Sequence, residues 1–144
     1  MKPVLSTLSH HELAAVCGGR CAVIGDSIAL GLSSQMPQCA HNAKKGIPSA
    51  DIIRRVPEGL VQTLLISAGT NDADNPRLGD NLRAIRRRAG GGVIWIAPVD
   101  ARARGAVETV AKLHGDRVVG FTPAYDNAHP RSYAELARTI GRVD

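Results

Sequence analysis

The sequence predicts an α/β protein with about five parallel strands in a three-layer α/β/α arrangement. Short continuous apolar runs, such as CAVIG at residues 21–25, alternate with segments whose apolar residues recur at helical spacing. Continuous apolar runs are typical of strands that are buried on both faces of a parallel sheet. A chain of 144 residues is long enough for one core, so we expect one α/β domain over residues 20–144.

The predicted elements follow one another with glycine, proline or polar residues between them. The strands are predicted within CAVIG (21–25), QCAHNA (38–43), LVQTLLISAG (60–69), VIWIAP (93–98) and RVVGF (117–121). The helices are predicted at SIALGLSSQM (27–36), SADIIRRV (49–56), NLRAIRRRA (81–89), GAVETVAKLHG (105–115) and RSYAELARTIG (131–141). Pro57 ends the second helix, Gly90 to Gly92 stop the third, and Gly115 caps the fourth.

The composition argues against membrane and nucleic-acid functions. No apolar stretch approaches the roughly 20 residues of a membrane-spanning helix. The net charge of +5 comes mostly from arginine, and aromatic residues are only 3% of the chain. Stacking platforms for nucleic-acid bases are therefore scarce, and we expect neither a membrane span nor a nucleic-acid partner.

The cysteine pattern gives no even framework for disulfides, because there are three: Cys17, Cys21 and Cys39. His41 lies two residues after Cys39, which makes a zinc site conceivable. The spacing favours small buried cysteines instead, and we expect no metal site.

Polar or flexible residues follow four of the predicted strands. Gly25 to Ser27 follow the first strand, Gly46 the second, residues 69–72 the third and residues 126–129 the fifth. The carboxyl ends of parallel strands meet at one edge of the sheet, where ligands bind in such folds. We therefore expect these four segments to meet.

Residues with the chemistry of nucleophilic catalysis fall in these segments. A serine hydroxyl needs a base within hydrogen-bond reach, and that base needs a partner for its other nitrogen. Ser27 supplies the hydroxyl, His129 the imidazole and Asp126 the carboxylate. The N–H groups of Ser27 and Gly46 and the side-chain amide of Asn71 are candidate donors to an oxyanion.

Together, Gly25-Asp26-Ser27, Gly46, the Gly-x-Asn-Asp at 69–72 and the Asp-x-x-His at 126–129 resemble the SGNH (GDSL-like) hydrolase superfamily. The four blocks stand in family order over residues 21 to about 141. The resemblance implies a flavodoxin-like α/β/α fold. It also implies ester hydrolysis through an acyl-serine intermediate, without metal or cofactor.

Residue roles follow from the same resemblance. Ser27 is expected to be the nucleophile, His129 its base and Asp126 the residue that orients the base. Gly46 and Asn71 are expected to form the oxyanion hole with the Ser27 N–H. Asp26 and Asp72 also match the pattern, and we interpret them as supports behind the catalytic groups.

The expected substrate is a small acyl ester, with acetate on a carbohydrate favoured, because the chain leaves little room for a lid between Asn71 and Asp126. One alternative is a thioesterase or lysophospholipase on the same machinery. Another is a non-catalytic accessory module that keeps the fold.

Local chemistry also permits structural roles for each group. Ser27 is a possible helix N-cap, Asn71 and Asp72 are possible turn residues, and His129-Pro130 is a possible helix start. These roles leave unexplained why a complete serine-histidine-aspartate set falls at strand ends.

The segment 1–19 permits two interpretations. Its apolar residues have helical spacing and Gly18-Gly19 end the pattern, which is typical of an amphipathic N-terminal helix. The segment also resembles the double-glycine leader of bacteriocin-like peptides, which peptidase-containing exporters recognise, here through residues 8–19, and cut after the second glycine. The protein would then be cytoplasmic in the first case, and in the second exported after cleavage following Gly19.

Overall fold

The computed structural model describes residues 20–143, so the expectations for residues 1–19 lie outside the described residues. Five strands form one parallel sheet in the order β2-β1-β3-β4-β5. The strands are β1 (Cys21–Gly25), β2 (Ala40–Ala43), β3 (Thr63–Ser67), β4 (Gly92–Ile96) and β5 (Arg117–Val119). The predicted α/β fold class is confirmed, and the strand order is that of flavodoxin-like folds.

Helices cover both faces of the sheet and complete the three predicted layers. They are α1 (Ser27–Ser33), α2 (Ser49–Ile52, continued by a 3-10 turn at Ile53–Arg55), α3 (Leu78–Arg88), α4 (Ala101–His114) and α5 (Tyr133–Ile140). The apolar sides of α2, α3 and α4 pack in one core, and those of α1 and α5 pack in the other. Within residues 20–143, no helix is long and apolar enough to cross a membrane.

Two helices begin earlier than the sequence predicts. Helix α3 begins at Leu78, within the predicted polar loop, because that leucine is buried in the core. Helix α4 begins at Ala101, because the Asp100 carboxylate caps it by accepting a hydrogen bond from the Ala103 N–H at 3.0 Å. The polar or small residues of these first turns concealed both helix starts.

The expectation of unpaired cysteines is wrong for two of the three. Cys21 and Cys39 form a disulfide, with their Cα atoms 4.8 Å apart. The register of β1 and β2 pairs Ala22 with Ala40, so the preceding cysteines stand side by side. Cys17 lies outside the described residues. The odd number of cysteines did not indicate this disulfide, which depends on the register of β1 and β2.

Candidate active site

The turn from β1 into α1 places Ser27 at the first position of the helix. Gly25 has a φ of 137°, and a Cβ atom there would lie 2.0 Å from the Ser67 carbonyl oxygen, so only glycine fits. The helix N-cap is Asp26, whose carboxylate accepts a hydrogen bond from the Ile28 N–H at 3.0 Å. The interpretation of Ser27 as the cap is therefore wrong, and its hydroxyl is available for another partner.

That partner is His129, which lies 102 residues away in the chain. The Ser27 Oγ is 2.9 Å from the His129 Nε2. The His129 Nδ1 is in turn 2.7 Å from the Asp126 Oδ2. The structure thus brings the three residues into one chain of hydrogen bonds at the carboxyl edge of the sheet. The Asp126 and His129 side chains are each 40% exposed, so solvent reaches the site directly.

The segment between β5 and α5 holds Asp126 and His129 in place through its backbone. A bridge between Pro123 and Pro130 closes this loop. The Asp126 Oδ1 accepts hydrogen bonds from the N–H groups of Ala128 and His129, both at 3.0 Å. One carboxylate oxygen therefore fixes the turn, and the other is left to orient the imidazole.

The same bonds set the charge of Asp126. The N–H groups of His129 and Ala128, followed by the His129 imidazole, lower the pKa of Asp126 from 3.8 to about 2. Asp126 is therefore a carboxylate at neutral pH. Helix α5 begins only at Tyr133, with Ser132 as its N-cap, so the alternative that His129-Pro130 starts this helix is wrong.

Asp26, interpreted from the sequence as a support behind the expected catalytic groups, is the N-cap residue directly before Ser27. Its side chain is fully buried, and its Oδ1 accepts a hydrogen bond from the Ser67 hydroxyl at 2.8 Å besides capping α1. Burial raises the pKa of Asp26 above its usual value, against the lowering effect of these hydrogen bonds. Ser67 was not predicted as part of the site, although a polar residue at the end of a buried strand was a visible signal.

Asn71 and Asp72 join the loop after β3 to the loop after β2. The Asn71 Nδ2 donates to the Ile47 carbonyl at 3.0 Å, directly beside Gly46. The Asp72 carboxylate accepts from the Ser49 N–H at 3.1 Å and from the Ser49 hydroxyl at 2.6 Å. Over the described range, no hydrogen bond joins Gly46 or Asn71 to Ser27 or His129.

Tyr133 is a neighbour of the site that sequence reasoning missed. A Cβ atom at Gly31 would lie 2.2 Å from the Tyr133 ring. Because Gly31 has no side chain, the Tyr133 ring of α5 packs directly against the backbone of α1. Burial raises the pKa of Tyr133, and the negative charges of Asp26 and Asp126 raise it further. A glycine in the middle of a short helix was the available sequence signal.

Fold and site together define an α/β protein of flavodoxin-like strand order with a serine-histidine-aspartate chain at the carboxyl edge of its sheet. No model of a known protein family matches the sequence, and no curated protein matches it. A similar solved structure is the C-terminal catalytic domain of peptidoglycan O-acetyltransferase A (OatA) from Streptococcus pneumoniae, determined with a methylsulfonyl adduct. The identity is 21% and the TM-score 0.48, and the match covers 65% of this chain and 60% of that one.

Proposed function

We propose that this protein is a serine ester hydrolase of the SGNH type that acts through an acyl-serine intermediate. The observation that carries the proposal is the hydrogen-bonded chain from Ser27 through His129 to Asp126. This arrangement activates a hydroxyl in unrelated hydrolases, where geometry and roles define it rather than sequence order. Neither a metal nor an organic cofactor enters the reaction.

The reaction follows from the three contacts. The His129 Nε2 accepts the proton of the Ser27 hydroxyl as the Ser27 Oγ attacks the ester carbonyl carbon. The Asp126 carboxylate holds the proton on Nδ1 and stabilises the imidazolium. The imidazolium then protonates the leaving alcohol, and the acyl group stays on Ser27. Water, deprotonated by His129, releases the acid and restores the serine.

The negative oxygen of the tetrahedral intermediate requires donors that are in place before the reaction. We assign them to the N–H groups of Ser27 and Gly46 and to the Asn71 amide. The Asn71 contact with Ile47 supports this assignment, because it holds the loop of Gly46 while leaving one amide hydrogen free. The Asp72 contacts with Ser49 brace the same loop.

A small acyl group, with acetate on a carbohydrate favoured, fits an open site. The 40% exposure of the Asp126 and His129 side chains supports this choice, since no lid within residues 20–143 buries the relay. A thioesterase or lysophospholipase would use the same relay on longer acyl chains. A chain-length series of p-nitrophenyl esters separates them: a maximum at acetate supports the proposal, and a maximum at eight or more carbons favours the alternatives.

The test of catalysis is turnover of p-nitrophenyl acetate by matched serine variants. Ser27→Ala should lower kcat/KM by about 10⁴-fold or more, because both the nucleophile and its relay are lost. Ser33→Ala is the control, since its hydroxyl bonds only to the Leu30 carbonyl of its own helix, and it should retain wild-type activity. Equal activity of Ser27→Ala and wild type would show that the relay is not catalytic and would favour a non-catalytic module.

We propose as well that the protein is exported after cleavage following Gly19, by a peptidase-containing exporter that reads residues 8–19. The Cys21–Cys39 disulfide supports export, because disulfides persist mainly in oxidising compartments. Cleavage would also remove Cys17 and leave only the paired cysteines, so that no third thiol could exchange with them. Intact mass of protein from the native host should show an Arg20 terminus, and an exported protein that retains Met1 would contradict this.

A further inference from the structure

A cleft lies along β2, and neither Ser27 nor His129 is among the residues that line it. It has two lobes of about 380 and 430 Å³ that share Asn42, Arg54 and Arg55. The floor of the first lobe includes the small and aliphatic side chains of Ala22 and Ala40. Residues from Ala40 to Lys44 line the two lobes, so the cleft follows the edge strand β2 for about 10 Å.

The rim of this cleft, which we name the β2 cleft, is predominantly cationic. Four cations line it, Lys44, Arg54, Arg55 and Arg88, against the two carboxylates of Asp51 and Glu58. Arg54 pairs with Asp51 at the exposed surface, where such a pair contributes little. Neither Lys44 nor Arg88 has an ion pair within the part of the chain that the structure describes. The cleft therefore presents uncompensated positive charge.

The second lobe of the cleft reaches the carboxyl edge of the sheet beside the site. The Lys44 N–H donates to the carbonyl of Gly25 at 3.0 Å. Gly25 is the last residue of β1 and precedes Ser27 by two residues, so Lys44 lies beside the turn that leads to Ser27. The lobe also includes Ile47, whose carbonyl accepts the Asn71 amide. A ligand that fills the cleft thus extends toward the groups to which the proposed function assigns the oxyanion.

From this juxtaposition we propose that the β2 cleft binds anionic groups, carboxylate or phosphate, of an acylated polysaccharide whose ester lies at Ser27. The inference rests on the proposed function and deepens it by naming the substrate class. Charge complementarity selects an anion, and the length of the cleft selects a chain rather than a free ion. No phenylalanine, tyrosine or tryptophan is among the residues that line either lobe, which disfavours a nucleic acid bound by base stacking.

Binding to the inactive Ser27→Ala protein tests the proposal without relying on turnover. The probes are O-acetylated polygalacturonate, O-acetylated phosphomannan and the neutral O-acetylated glucomannan, each titrated by calorimetry. At about 50 mM salt, at least one anionic probe should bind about tenfold more tightly than the neutral one, and about 500 mM salt should remove the difference. The two anionic probes separate carboxylate from phosphate recognition.

Paired charge variants in the same background locate the binding. Arg54→Gln with Arg88→Gln should weaken binding of the preferred anionic probe by about three- to tenfold, since two favourable charge contacts are lost. Arg104→Gln with Arg138→Gln removes the same charge from helices outside the cleft and should change binding less than twofold. Equal weakening by both pairs would attribute binding to overall charge and overturn the proposal.

Two further outcomes would also overturn it: equal affinity for neutral and anionic probes, or tighter binding of a single-stranded oligonucleotide through Arg54 and Arg88. Failure of the proposed function is a separate result, seen as absent turnover of p-nitrophenyl acetate by the wild type. The binding preference does not depend on that turnover, so the two failures are distinguishable.

Discussion

Replacing Asp126 with asparagine changes the tautomer of His129 while keeping the shape of the loop. In the unmodified protein, the Asp126 Oδ1 accepts hydrogen bonds from the N–H groups of Ala128 and His129, both at 3.0 Å. The side-chain oxygen of asparagine can still accept these two hydrogen bonds. The amide nitrogen then replaces Oδ2, which is 2.7 Å from the imidazole Nδ1. Because an amide N–H donates, Nδ1 must become the acceptor and Nε2 must carry the proton.

A protonated Nε2 faces the Ser27 hydroxyl at 2.9 Å as a donor and cannot accept its proton. The corresponding asparagine variant of a serine protease loses about 10⁴-fold in kcat, and we expect a loss of about 10²- to 10⁴-fold here because solvent reaches the relay. The 40% exposure of both side chains is the reason for the lower bound.

The assay is release of p-nitrophenol from p-nitrophenyl acetate at neutral pH, with thermal unfolding to show that the variant is folded. Asp74→Asn is the control, since it removes one exposed carboxylate from another loop, and it should keep wild-type activity. A folded Asp126→Asn variant with activity within about tenfold of wild type would refute the assignment of Asp126 as the residue that orients His129.

Three further results are expected. Gly25→Ala should destabilise the fold by about 3 kcal/mol or more in urea unfolding, because it adds left-handed strain and a contact with the Ser67 carbonyl; a loss under about 1 kcal/mol would contradict the close approach. Reduction of the Cys21–Cys39 disulfide, which closes a loop of 18 residues, should cost about 3 kcal/mol, and an unchanged Tm would contradict this. The carboxyl ¹³C signal of Asp126 should titrate near pH 2, because the pKa of this group is lowered to about 2. The contribution of its carboxylate to folding stability is then fully present above pH 3.8 and is lost as the pH falls through about 2. A titration midpoint at or above pH 3.8 would contradict the hydrogen bonds to this carboxylate.

The sequence predicts the central strands well because they are mostly buried on both faces. Runs such as residues 21–25 have no polar alternation, and they become β1 with every position buried. Helix starts are harder to predict, because the first turns of α3 and α4 contain polar residues that also occur in loops. The sequence, for example, predicts Asp100 in a loop, whereas in the structure its carboxylate caps the first turn of α4.

The contact between Ser27 and His129 is predictable for a different reason. Ser27 and His129 lie at the carboxyl ends of strands of one parallel sheet, so the topology alone brings them to the same edge. The cysteine pair depends on strand register, which no pattern in the sequence specifies. The β2 cleft likewise cannot be predicted from the sequence. Its cations come from helices α2 and α3 and from the loop after β2, and only the packing of these segments brings them together.

Covalent capture of the nucleophile tests the central assignment most directly. The folded protein would be treated with a fluorophosphonate and its intact mass and peptides measured. The account predicts one adduct per chain, on Ser27, that is absent in Ser27→Ala and strongly slowed in His129→Ala. A folded protein that remains unlabelled, or that carries the adduct on another residue, would contradict it.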